Sequence, residues 1–261
     1  MTKVRTSDKL DQIEGYSNTL IQSLRVLDER RYILEPLLEN EPIKVALSEK
    51  FKGTYGAHAY NHLAPMIAQD TIRDIARVFL DEGKRAGSFA NLYRKCSDKK
   101  VHTALRGKFR HIPDKWHDNL EMPGLSTEQA ASIIEEWRDK DREEFEASFD
   151  EGWAVATSAL ESLDSDPIAQ KIKTFRDKYH AHLEMTPLGQ DPGPFDVKSL
   201  DLSFNDIFEF LDRYIPPLFE LVRVLTGSVH HVDSFSSWHK KYGLDMWCVL
   251  SGVEYEIAEK A

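Results

Sequence analysis

Hydrophobic residues recur along most of the chain at steps of three and four, which is the spacing of an amphipathic α-helix. This pattern predicts a short helix over 88–95 and longer helices over 7–38, 57–82, 126–163, 166–184, 200–225 and 234–249. No segment alternates between apolar and polar residues as a β-strand does. The sequence therefore predicts an all-α fold, a helical bundle forming one domain over residues 1–261 with long irregular connections.

Local signals indicate where several of these helices begin or change direction. Ser126 and Gln129 have the spacing of a capping box, and Asp166–Pro167 is typical of an N-cap followed by the first helical residue. Pro36 predicts a kink or an end in the first helix. Pro216–Pro217 predicts a kinked helix or two short ones near the end of the chain.

Charge and cysteine content narrow the classes of protein that fit this fold. The chain carries 44 acidic and 34 basic residues, a formal charge of −10, which excludes a generally basic nucleic-acid-binding surface. Cys96 and Cys248 are too few for a disulfide framework and suit a reducing compartment. No stretch approaches the roughly 20 apolar residues that span a bilayer. We therefore expect a cytoplasmic protein that is neither secreted nor inserted in a membrane.

Positive charge is concentrated in an irregular connection predicted over about 94–125. Residues 94–117 contain eight basic and two acidic side chains, a net charge of +6. Aromatic residues lie among them and could stack on unpaired bases, as in many complexes with single-stranded RNA. A solvated loop with no binding role is the alternative. The residues predicted to bind RNA are Lys99, Lys100, Arg106, Lys108 and Arg110, and the candidate stacking residues are Tyr93, Phe109 and Trp116.

The densest group of reactive side chains lies in the sequence IKTFRDKYHAHL, residues 172–183, just before a loop rich in proline and glycine. Arg176 offers a permanent charge and a planar fork suited to phosphate oxygens, while His180 and His182 can exchange protons near neutral pH. This combination suits cleavage of a phosphodiester without a metal. On a continuous helix Arg176 and His180 share a face, whereas His182 lies about 120° away. A tightened or frayed helix end, or a two-fold dimer, would bring Arg176 and His182 together.

These residues resemble the signature of the HEPN superfamily, an Arg and a polar residue followed by a His four to six positions after the Arg. Arg176, Asp177 and His182 match that signature. The sequence RDKYHAHL is similar to a segment of the abortive-infection U-type branch of the superfamily. The earlier helix AYNHLAPMIAQDTIRDIARVFLD, residues 59–81, is similar to a helix of the same branch.

The resemblance implies a metal-independent endoribonuclease of defence or toxin type that acts as a homodimer without a cofactor. Its RNA substrate would be cut through the 2′-hydroxyl group next to the scissile phosphate. Arg176 would stabilise the phosphorane, His182 would act as general acid or base, and Asp177 would orient one of them. His180 replaces the usual apolar residue, so the choice between His180 and His182 stays open. An antitoxin or a phage-derived product is a candidate regulator.

Other interpretations of the same residues stay open. The Arg and His cluster also fits a solvated helix face, and the chain also fits a non-catalytic helical interaction or nucleotide-sensing module of a defence or toxin–antitoxin system. His180 and His182 point about 200° apart on a helix, which disfavours a metal site. A second polar face either meets the Arg176 segment or forms ion pairs within its own helix. That face consists of Asp70, Arg73, Asp74 and Arg77.

Overall fold

The computed structural model describes residues 6–118, 120–181, 184–186, 188–189, 192–231 and 233–254. Over these residues the fold is all-α, as predicted, and contains no extended strand. The helices are α1 (Thr6–Glu39), α2 (Glu41–Phe51), α3 (Gly56–Ile75), α4 (Phe89–Cys96), α5 (Lys99–Arg110), α6 (Thr127–Ser165), α7 (Pro167–Phe175), α8 (Phe204–Thr226) and α9 (Asp233–Ser251). Short 3₁₀ turns cover Ile112–His117 and Val197–Leu200, and π-helical turns cover Ala76–Leu80 and Arg176–Ala181.

Helix α8 forms the centre of the hydrophobic core. It packs against α1, α5, α6 and α7, and twelve of its residues between Ile207 and Leu225 are buried. Pro216 and Pro217 lie inside this helix, so the alternative of two short helices is wrong. The residues four positions earlier, Asp212 and Arg213, are exposed, so solvent can satisfy the carbonyl groups that the prolines leave without a helical partner.

Helix α1 also continues through its proline, Pro36, and α9 packs at that point. The missing N–H of Pro36 leaves the carbonyl oxygen of Tyr32 without its usual helical donor. Gly243 of α9 lies against this carbonyl so closely that an added Cβ atom would be 2.5 Å from the oxygen. The indole Nε1 of Trp247 donates to the carbonyl of Ile33 at 2.7 Å. These contacts anchor α9 to α1.

The segment predicted as an irregular connection is largely helical, which corrects that prediction. Helix α5 fills its centre, and Asp98 caps it by accepting bonds from the N–H groups of the second and third helical residues. Val101, Leu105 and Phe109 recur every four residues and are buried. The apolar spacing was therefore present, but it lay between lysines and arginines that suggested a solvated loop.

The predicted capping residues have the expected roles. Ser126 and Gln129 form a capping box at the start of α6, and Asp166 caps α7 with Pro167 in the first turn. No helix in the described part of the chain is long and apolar enough to cross a membrane.

Candidate active site

Helix α7 begins at a buried aspartate that fixes the helix in the bundle. The Asp166 carboxylate is 1% exposed and accepts three bonds, from the N–H of Ile168 at 2.8 Å, the Arg213 guanidinium at 2.8 Å and the Tyr214 hydroxyl at 2.9 Å. The inner face of α7 is buried against the core. The turn that follows α7 therefore begins at a well-anchored helix.

The candidate catalytic segment is the π-helical turn Arg176–Ala181 that continues α7. A π turn forms i to i+5 hydrogen bonds, and such turns in α-helices occur frequently at functional sites. A frayed or tightened helix end was predicted here, and the described residues form a widened turn instead.

Arg176 is held by its sequence neighbour. Its guanidinium Nε donates to the Asp177 carboxylate at 2.7 Å, and the Arg176 side chain is 27% exposed. No other ion pair to Arg176 occurs within the described residues. Asp177 therefore occupies one edge of the guanidinium and leaves the edge formed by the two terminal nitrogens for an anion.

Of the two histidines of the predicted site, the structure describes the backbone of one. The backbone of His180 belongs to the π turn. His182 lies outside the described residues. The proposed roles of both histidines therefore remain predictions.

Helices α3 and α7 pack against each other in opposite directions. Lys173 of α7 forms an ion pair at 3.0 Å with Glu82, two residues beyond the π turn Ala76–Leu80 that continues α3. In the π turn that follows α7, the Tyr179 hydroxyl is 3.4 Å from Nε2 of Gln69 in α3. Each helix continues into a π turn, and the contact between Tyr179 and Gln69 places the Arg176 turn beside α3. The sequence alone does not predict these contacts, because they join residues 91 and 110 positions apart.

A hairpin-like loop follows the π turn. Thr186 donates its N–H to the Gly193 carbonyl at 2.9 Å, and Phe195 donates to the Glu184 carbonyl at 2.8 Å. Lys178 links the π turn to this loop, since its ammonium group is 3.0 Å from a Glu184 carboxylate oxygen and 5.1 Å from the centre of the Phe195 ring. The base of the loop is thus fixed next to the Arg176 turn.

The second polar face forms ion pairs within α3 and with α1. Arg73 pairs with Asp70 at 2.9 Å, and Arg77 pairs with Asp74 at 3.2 Å. Arg30 of α1 also pairs with Asp74, whose side chain is 12% exposed. This face therefore helps to join α1 to α3 through the Asp74 carboxylate.

The five predicted RNA-binding residues fall into two groups. Arg106 makes two bonds to Asp150, at 2.6 and 2.7 Å, which lower the pKa of that carboxyl group. The other members of this ion-paired group are Lys108, 2.8 Å from Glu14, and Arg110, 3.1 Å from Glu146, which also pairs with Arg106. Lys99 and Lys100 are exposed and form no ion pair among the described residues.

The three candidate stacking residues also differ in accessibility. Tyr93 stacks on Trp153 with ring centres 4.7 Å apart and bonds Thr157 through its hydroxyl at 2.7 Å. Phe109 is 4% exposed. Trp116 is 59% exposed and lines a surface cavity of about 440 Å³. Trp116 is thus the accessible aromatic side chain of the three.

The described residues contain no group of three or more His, Cys, Asp or Glu side chains that could hold a metal ion. Burial raises the pKa of the Cys96 thiol to about 12, so this cysteine is a poor nucleophile at neutral pH.

The all-α bundle and the Arg176–Asp177 pair fit the HEPN resemblance of the sequence. The family model for AbiU2, a HEPN family, matches residues 11–245. The chain therefore belongs to the AbiU2 family of HEPN proteins, which confirms the resemblance found in the sequence. No curated protein and no solved structure matches the chain.

Proposed function

We propose that this chain is a metal-independent endoribonuclease that cleaves RNA by transesterification. The observation that carries the proposal is the Arg176 turn, in which Asp177 holds one edge of a partly exposed guanidinium, and the other edge has no ion-pair partner among the described residues and can accept a phosphate. A planar guanidinium can make two parallel bonds to phosphate oxygens. The HEPN family and the π-helical geometry of the turn support the same site.

The reaction needs three contributions at the scissile phosphate. The 2′-hydroxyl oxygen forms a bond to phosphorus and loses its proton to a general base. The bond from phosphorus to the 5′ oxygen breaks, and a general acid protonates that oxygen. The products are a 2′,3′-cyclic phosphate and a 5′-hydroxyl group. We assign stabilisation of the phosphorane to Arg176, acid or base chemistry to His182 with His180 as the second candidate, and positioning of Arg176 to Asp177.

The wider biological setting is part of this proposal. We propose a cytoplasmic homodimer of defence or toxin type, with RNA as its substrate and an antitoxin or a phage-derived product as its regulator. Because the chain carries a net charge of −10, contact with RNA should be local. Lys99 and Lys100, which form no ion pair among the described residues, are the strongest candidates outside the Arg176 turn.

The test compares RNA cleavage by the purified wild-type chain and by site variants in the presence of EDTA. Arg176→Ala and His182→Ala should each lower the cleavage rate by about 100-fold or more. His180→Ala shows which histidine serves. Arg85→Ala is the matched control, because Arg85 is exposed in the loop after α3 and should retain wild-type activity.

The chemistry of the products provides a second criterion. Cleavage should yield 2′,3′-cyclic phosphate ends and should stop when the attacking ribose is replaced by 2′-deoxyribose. Equal cleavage by wild type, Arg176→Ala and His182→Ala would refute the site. If the wild type binds RNA or nucleotides without cleaving any RNA, the chain is a non-catalytic interaction or sensing module.

A further inference from the structure

The cavity beside Trp116 lies between the 3₁₀ turn Ile112–His117, helices α5, α6 and α8, and the residues that follow α8. Its volume of about 440 Å³ is within the range of small-ligand sites. Aromatic and aliphatic side chains form much of the lining, including Phe109, Trp116 and Phe145. A mostly apolar cavity with a few polar groups is the usual form of a site for a small planar ligand.

The 3₁₀ turn holds Trp116 in its exposed position. Two residues earlier, Asp114 accepts two bonds from the Arg142 guanidinium, at 2.8 and 3.1 Å. On the other side, Nε2 of the nearly buried His117 is 2.7 Å from the Asp141 carboxylate. Both partners belong to α6. Because the turn is attached on both sides of Trp116, the 59% exposure of this residue is a fixed feature that leaves the indole available to a ligand.

The aromatic lining and its surroundings suit a nucleobase. Unpaired bases of RNA stack on the rings of Trp and Phe side chains. Trp116 and Phe145 pack edge to face with ring centres 5.3 Å apart, an arrangement that forms two walls at an angle. Lys115, next to Trp116, is exposed and forms no ion pair among the described residues, so it can contact a phosphate beside a stacked base.

Helix α6 adds two polar side chains to the lining, Glu144 and Ser148. They are four positions apart and therefore lie on the same face of the helix. The Glu144 carboxylate is 65% exposed, and its contact with Lys140 at 3.9 Å joins two exposed side chains and is weak. The Ser148 hydroxyl oxygen accepts a bond from Arg223 at 3.0 Å, which leaves its own hydrogen for an acceptor in the cavity. The cavity thus offers a carboxylate acceptor beside a hydroxyl donor.

Guanine is the RNA base that matches this pair. Its Watson–Crick edge carries two adjacent N–H donors, at N1 and N2, followed by the acceptor O6. A carboxylate accepts both donors, and a hydroxyl group can donate to O6. Adenine and cytosine place a ring-nitrogen acceptor at the centre of the same edge, and uracil places one N–H between two carbonyl oxygens. Each of these bases would therefore direct an acceptor at the Glu144 carboxylate.

We propose that this cavity binds an unpaired guanine of the RNA, stacked on Trp116 and donating N1–H and N2–H to Glu144. The inference rests on the proposed function for RNA as the ligand, and adds a base preference. No residue that lines the cavity belongs to the π turn Arg176–Ala181. Guanine binding and RNA cleavage can therefore be measured separately.

Fluorescence anisotropy with short probes tests the stacking. The probes are labelled pentanucleotides with one of the four bases at the centre and uracil elsewhere, and their 2′-fluoro riboses prevent transesterification. The wild-type chain should bind the guanine probe at least about fivefold more tightly than the others. Trp116→Ala should weaken binding of the guanine probe at least about fivefold. Trp238→Ala is the matched control, because Trp238 is 68% exposed on α9 and should bind as wild type does.

A charge-matched pair of variants tests the recognition of the base edge. Glu144→Gln keeps one acceptor and directs an NH₂ group at the guanine donors, so most of the preference for guanine should be lost. Glu143→Gln removes the same charge from an exposed neighbour that does not line the cavity, and should keep the preference. Removing a negative charge favours binding to the phosphate backbone, so weaker guanine binding by Glu144→Gln alone reports on the base. Circular dichroism confirms that the variants keep their helical fold.

Several results would overturn the inference. Equal affinity of the wild type for the four probes, or no binding of any of them, refutes the guanine site. A Trp116→Ala variant that binds as wild type does refutes the cavity, and equal behaviour of Glu144→Gln and Glu143→Gln refutes the contact with Glu144.

The two proposals fail in different ways. A guanine preference that depends on Trp116, in a chain that cleaves no RNA, supports the cavity and refutes the ribonuclease. Cleavage that depends on Arg176, in a chain with equal affinity for the four probes, refutes the cavity and supports the ribonuclease.

Discussion

Asp166 connects the stability of the bundle to the position of the candidate site. Replacing it with alanine removes the N-cap of α7, which costs about 1 kcal/mol. It also removes the acceptor of the buried Tyr214 hydroxyl, which lies 3.2 Å from the Ser162 hydroxyl and can use that group instead. That loss adds about 1 kcal/mol. The half-exposed Arg213 pair adds less than about 1 kcal/mol. The expected destabilisation is therefore about 2 to 3 kcal/mol.

Thermal and urea unfolding measure this difference. A loss of that size lowers the melting temperature by about 5 °C in a chain of this length. Asp164→Ala is the matched control, because Asp164 is exposed two residues earlier and should change stability by less than about 0.5 kcal/mol. Asp166→Asn keeps a capping oxygen and should fall between the two. Equal stability of Asp166→Ala and Asp164→Ala would refute this description of the anchor.

Three further predictions concern charge and packing. Two bonds from the Arg142 guanidinium, at 2.8 and 3.1 Å, hold the pKa of Asp114 at about 2 against an ordinary 3.8, so the stabilising effect of the Asp114 carboxylate is present above about pH 4. The loss of unfolding free energy in Asp114→Asn should therefore persist from pH 7 to pH 4 and shrink towards pH 2; a loss independent of pH contradicts this. Gly243→Ala should cost at least about 2 kcal/mol in urea unfolding because its Cβ meets a backbone carbonyl, whereas Gly15→Ala, with open space around it, should be neutral or stabilising. Neutralising Lys99 and Lys100 should reduce the slope of log K for RNA against log salt by up to about 1.4, and an unchanged slope removes them from the site.

The sequence predicted those features that depend on neighbouring residues. The capping box at Ser126 and the N-cap at Asp166 require only local spacing, and both are present. The core face of α8 follows from the three- and four-residue spacing of its apolar residues, which continues on both sides of Pro216 and Pro217. Helix α5 was missed because its three buried residues lie among cations, although the same spacing was visible. The basic composition of that segment suggested a loop, although the spacing of its apolar residues was that of a helix.

The candidate site was predicted in residue type but not in geometry. Whether a helix end is frayed, tightened or widened depends on packing, and the π turn at Arg176 lies where α3 and α7 meet. Likewise, the pairing of Arg106 with Asp150 and Glu146 depends on how α5 packs on α6. A sequence shows that such cations exist, but the tertiary structure decides which of them remain available to RNA.

The most direct test of the central claim is a single-turnover assay with an RNA whose cleavage site is known, in EDTA, with and without the attacking 2′-hydroxyl. We predict that wild type cleaves only the RNA with the hydroxyl group, leaving a 2′,3′-cyclic phosphate, and that Arg176→Ala is slower by about 100-fold or more. Cleavage of the 2′-deoxy substrate, or an Arg176→Ala rate equal to wild type, would contradict the account.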